Sequence, residues 1–94
     1  MARRLQGGEA SGADFVVVGH SSFAKGAGVP MDAGSVGKVY VVTQGVITIE
    51  QADGTRHILH PLDSIFVPAG ESRAVLNESG APAAMIVITP SAPK

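Results

Sequence analysis

Short runs of Val, Ile and Ala, cut every few residues by Gly, Pro, Asn, Asp or Ser, recur along most of this sequence. That rhythm constrains the fold more than any other feature. Each run is too short to make a stable helix and none repeats apolar residues at helical spacing, whereas β-branched side chains suit the half-buried face of a strand. The pattern predicts strands over residues 14–20, 36–43, 46–50, 56–59, 64–67, 73–76 and 84–89. Residues 21–33, which carry Gly and Pro, read as a connection with room for one short strand. Ala52-Asp53-Gly54-Thr55 predicts the clearest hairpin, because Asp-Gly supplies the positive φ angles of a tight reversal. Gln44-Gly45 and Pro68-Ala69-Gly70-Glu71 predict two more turns. Many short antiparallel strands must protect their edges, and closing into a double-sheet jelly roll does so.

A chain of 94 residues supports one core and leaves much of its surface exposed, which favours pairing with a second copy. A homodimer is therefore expected. Residues 1–13, rich in Gly, Ala and Ser with two arginines, bury too little apolar surface to order firmly and read as a flexible N-terminal arm or an edge strand. Residues 14–89 form the barrel domain in this reading, and the Pro-rich residues 90–94 a frayed C-terminal tail. A formal net charge of −1 without a block of like charges gives no footprint for nucleic acid or for an anionic membrane, so neither is expected as a partner. The absence of cysteine excludes a disulfide framework and thiolate metal sites. The opening Met1-Ala2-Arg3-Arg4-Leu5-Gln6-Gly7-Gly8 lacks the apolar run of a secretory signal, and no later stretch approaches the ~20 apolar residues of a membrane helix. A cytoplasmic location is expected.

Two stretches resemble the paired signatures of the cupin family. Pro68-Ala69-Gly70, followed by Arg73 and Asn77, has the spacing of the second signature, in which a Pro-x-Gly turn precedes a histidine and then an asparagine. Leu62 stands where that signature opens with glycine. The first signature runs from a glycine through a His-x-His pair and a glutamate to a second glycine. Here Gly45 matches the final glycine and Lys38 the glutamate, and counting back gives Asp32 and Gly34 for the histidines and Gly26 for the opening glycine. The resemblance covers roughly residues 14–89 and implies an all-β cupin barrel, a double-stranded β-helix or jelly roll. It also implies a place for a divalent metal held by imidazoles and a carboxylate. With Asp32, Gly34, Lys38 and Arg73 at those places, two fixed cations repel such an ion and glycine offers no ligand. No metal and no cofactor are therefore expected, and the metal-dependent dioxygenase and isomerase readings lose their support.

Strand alternation puts Lys38, Tyr40 and Val42 on one face, which by the resemblance points into the barrel, and Arg73 and Val75 should join them. The anion-binding reading makes Lys38, Arg73, Tyr40 and Asp32 the ligand-binding residues: the planar Arg73 fork receives a carboxylate, Lys38 adds a second positive charge and Tyr40 a hydroxyl. A competing reading pairs Lys38 and Arg73 with Asp32, Glu50 or Glu71 in an internal ion-pair cluster with a structural role only. A third makes Lys38, its pKa lowered by burial and by Arg73, the base or imine-forming amine of a metal-independent isomerase or lyase. A fourth leaves the cavity collapsed in a structural or interaction homodimer. His57 and His60 fall on different faces and are not expected to share a metal, and His20 beside Ser21 and Ser22 is no sign of a nucleophile and its base. Asn77 is expected to satisfy backbone groups in its turn, and Glu71 and Ser72 to sit in a solvated turn at the barrel lip.

Overall fold

The computed structural model describes residues 2–6 and 16–90, and every regular element among them is a strand. One sheet holds, in order, β1 (Ala2–Gln6), β2 (Val16–Phe23), β9 (Ala83–Pro90), β4 (Lys38–Gln44) and β7 (Ser64–Val67). The other holds β3 (Gly28–Ala33), β8 (Ser72–Leu76), β5 (Ile47–Gln51) and β6 (Arg56–Leu59). All pairings are antiparallel. The chain changes sheet at almost every connection after β2, which is how a jelly roll closes two sheets around one core. No described helix is long and apolar enough to cross a membrane.

The predicted alternation sets the core. Tyr40 and Val42 from β4, Ile47 and Ile49 from β5, Leu59, Val67, Val75, Ala83 and Met85 all bury their side chains between the sheets. Every second residue is used, as the pleat requires. The Asp53-Gly54 reversal joins β5 to β6 as a hairpin, with Gly54 at φ +90° and its N–H donating to the Gln51 carbonyl. Gly45 marks a different event, the crossing from the first sheet to the second. It sits at φ +71°, and a Cβ there would lie 2.6 Å from the Pro82 carbonyl oxygen, so only glycine passes.

Residues 21–33 hold more structure than the sequence pattern predicts. β2 continues to Phe23 because Ser21 and Ser22 stay in register with Met85 and Ala84 of β9. β3 takes the second half of that connection. It is the short strand for which the sequence left room, its bounds obscured by Gly28, Pro30 and Asp32; β3 is an edge strand with a bulge between Val29 and Asp32, where a proline can be accommodated. Residues 2–6 form the edge strand β1. Residues 7–13 of the expected arm, residues 14 and 15 of the first predicted strand and residues 91–94 of the expected tail lie outside the described residues.

The two ends of the barrel differ. At one end gather the start of β4, the end of β5, the start of β8 and the end of β3, tied by a bond from the Gly70 N–H to the Gly34 carbonyl. At the other, Asn77 binds the 24–27 loop through backbone bonds with Gly26 and Ala27.

Candidate functional site

Arg73 opposes Asp32 on β3 and Gln51 on β5, and its side chain turns into the barrel toward β4. It is 8% exposed and packs against Tyr40, which is 2% exposed. The guanidinium Nε–H donates to the Tyr40 hydroxyl, one Nη donates to the Asp32 main-chain carbonyl at 2.9 Å, and the guanidinium carbon lies 5.8 Å from the centre of the Tyr40 ring. Among the described residues no carboxylate lies within ion-pairing distance of Arg73 or Lys38. A buried cation held only by neutral groups keeps most of its desolvation cost.

Lys38 begins β4 and is half-buried. Burial pushes its amine below the ordinary lysine range, the Arg73 charge pushes it further, and the Asp32 carboxylate partly opposes both. Its tip lies over Gly34: a Cβ at that position would stand 3.0 Å from both Cε and Nζ of Lys38. The place that resembles the family's second histidine is therefore filled by the lysine that replaces the family's glutamate.

The sequence-predicted site residues divide in two. Lys38, Tyr40 and Arg73 come together inside the barrel mouth. Asp32 joins them through its backbone carbonyl, while its exposed carboxylate accepts from the Ala33 N–H at 2.9 Å. The ion-pair cluster of the competing reading, pairing Lys38 and Arg73 with Asp32, Glu50 or Glu71, does not form among the described residues. Glu50 binds Arg56, which also reaches Glu78, each at 2.9 Å on the exposed face, and Glu71 accepts from Gln51 Nε2 at 2.8 Å. Glu71 is thus half-buried and bonded, where a solvated turn was expected. His57 lies 3.3 Å from Gln51 through its Nε2, while His60 sits in the turn after β6 beside Asp63. Gln51 and His57 are additions to the site that sequence reasoning missed.

The donor set does not fit a divalent metal. At the four places where the resemblance puts metal ligands stand one exposed carboxylate, one glycine and two cations, and no group of three His, Cys, Asp or Glu side chains gathers among the described residues. A groove of about 340 Å³ on the outside of the five-stranded sheet is lined by Lys38, Val39, Phe66 and Ile88 among others, and another of about 410 Å³ by Ser21, Phe23 and Val29. Neither includes Arg73 or Tyr40.

Comparison with known proteins agrees with this architecture. A cupin superfamily protein from Desulfitobacterium hafniense is similar at 25% identity and a TM-score of 0.80, over 98% of this chain and 77% of that one. The polyketide cyclase RemF from Streptomyces resistomycificus is similar at 22% identity and 0.87, over 97% of this chain and 64% of that one. The DMSP lyase DddQ from Ruegeria pomeroyi superposes at 18% identity and 0.83, over 97% of this chain, which spans 46% of the lyase. No curated protein matches. The model of the cupin domain matches residues 19–89, most of the chain, and the protein is therefore a member of the cupin family.

Proposed function

We propose that this barrel binds a small carboxylate-bearing molecule at Arg73 and Lys38 without a metal. The observation that carries the reading is the buried Arg73 guanidinium, which has hydrogen-bond partners but no described counter-anion. An incoming carboxylate supplies that charge and accepts the remaining N–H groups in the planar geometry the fork favours. Lys38 adds a second positive charge that makes no ion pair among the described residues, and Tyr40, accepting from Arg73, keeps its own proton for the ligand.

Binding of a carboxylate panel, followed by calorimetry, tests this. At least one acid should bind the wild type, and Arg73→Lys, which keeps the charge and loses the fork, should weaken it about ten- to one-hundredfold. No binding across the panel, or stoichiometric nickel, iron, manganese or zinc in carefully prepared protein, would overturn the reading.

A second reading, a metal-independent isomerase or lyase, is favoured by the lowered pKa of Lys38 beside an arginine able to hold the acid. Borohydride trapping of a Lys38 imine, or turnover lost in Lys38→Met, would distinguish catalysis from binding alone. We further assign the apolar outer face of the five-stranded sheet, where Val39 aligns with Phe66 and Ile88, to a second copy of the chain.

A further inference from the structure

Beside Arg73 stands a second polar wall. Gln51 opposes Arg73 across the β5–β8 ladder and so shares its face, and His57 opposes Ile49 on the same inner side. Gln51 donates from Nε2 to Glu71 Oε1 at 2.8 Å, and its Oε1 lies 3.3 Å from His57 Nε2. A carboxylate only accepts, so Glu71 fixes which end of the amide is nitrogen. The amide oxygen that then faces His57 also only accepts, so His57 Nε2 carries the hydrogen and the neutral ring keeps an acceptor at Nδ1. The set leaves capacity unused: a second amide hydrogen, a second lone pair on Oε1 and the Nδ1 lone pair.

We infer that Gln51 and His57 read a hydroxyl group on the ligand, and that the ligand class is the short monocarboxylic hydroxy acids. This rests on the carboxylate reading above. Gln51 and Arg73 rise from opposed positions on neighbouring strands, about 5 Å apart at Cβ, so both can flank one short acid whose hydroxyl sits on the carboxyl-bearing carbon or on the next. A hydroxyl both donates and accepts, which suits a wall offering both roles. The Glu71 carboxylate bonded to Gln51 adds a negative charge to this wall, which disfavours the second group of a dicarboxylate.

Calorimetric titration of propanoate, 2-hydroxypropanoate, 3-hydroxypropanoate and malonate into wild type, Gln51→Leu and His57→Phe tests this, with folding checked by circular dichroism. The wild type should bind one hydroxy acid about five- to tenfold more tightly than propanoate, and malonate more weakly than either. Gln51→Leu should abolish that preference, so that the favoured hydroxy acid binds no more tightly than propanoate. His57→Phe, on a different strand, should reduce it and decides the matter if Gln51→Leu does not fold. Equal wild-type affinity for propanoate and both hydroxy acids, or a preference that survives in the folded variants, overturns the inference. If propanoate still binds and is lost in Arg73→Lys, the carboxylate reading stands while the inference falls; if no acid binds the wild type, both fall.

Discussion

Leu62 adopts φ +73° in the turn between β6 and β7, a region costly to any residue with a Cβ, and it stands where the resemblance places a glycine. Its side chain is 85% exposed, so little burial offsets the strain. Leu62→Gly should therefore raise stability by about 0.5–1 kcal/mol, the relief of strain being partly offset by the freer unfolded chain. A urea midpoint that stays or falls contradicts this. Lys38 makes a second residue-scale prediction. Its folded pKa lies below the unfolded 10.5, so between the two values the unfolded chain holds more protons and stability rises with pH. At neutral pH the charged amine is a burden, and Lys38→Met should raise the denaturation midpoint there and remove the alkaline slope. Ligand affinity runs the other way: an anion needs the ammonium, so binding should weaken as pH rises through the lowered pKa, and the methionine variant should lose that dependence.

Among the elements, the turn after β8 is held by one side chain. Asn77 is 2% exposed, its Nδ2 donates to the carbonyls of Phe23, Ala24 and Ala81, and its Oδ1 accepts from the N–H and hydroxyl of Ser79. Asn77→Ala would leave buried carbonyls unpaired and should cost about 2–4 kcal/mol, read as a fall in the urea midpoint with unchanged slope. This role was legible, because an asparagine after a strand and before Ser79-Gly80 is a turn residue by its chemistry. The inward placement of Lys38, Tyr40 and Arg73 was legible for another reason: the resemblance put Lys38 and Arg73 at inward-facing positions of the family, and period-two alternation set Tyr40 on the face of Lys38. Gln51 and His57 were not, since their place beside Arg73 depends on the β5–β8 and β5–β6 registers, which no local pattern encodes. For β3 the sequence left room for a short strand within residues 21–33 but not its bounds, because its proline and glycine break the pattern and its place rests on pairing with β8.

At the scale of the molecule, one sheet has an apolar exterior. Val39 and Val41 of β4 align with Ile88 and Ile86 of β9, and Phe66, 64% exposed, lies next to Val39. Covering this face with a second copy removes apolar area from water. Sedimentation should give a dimer for the wild type, and Phe66→Glu should shift it toward monomer with the fold retained; a wild-type monomer at high concentration would refute the assignment. The inner face of the same sheet offers something else. Tyr40 is the only tyrosine and the chain has no tryptophan, so under excitation that phenylalanine does not absorb, every photon the protein emits comes from a phenol lying against the Arg73 guanidinium. The intrinsic fluorescence is therefore a label-free gauge at a single known position, and quenching or recovery of that glow reports whatever arrives there.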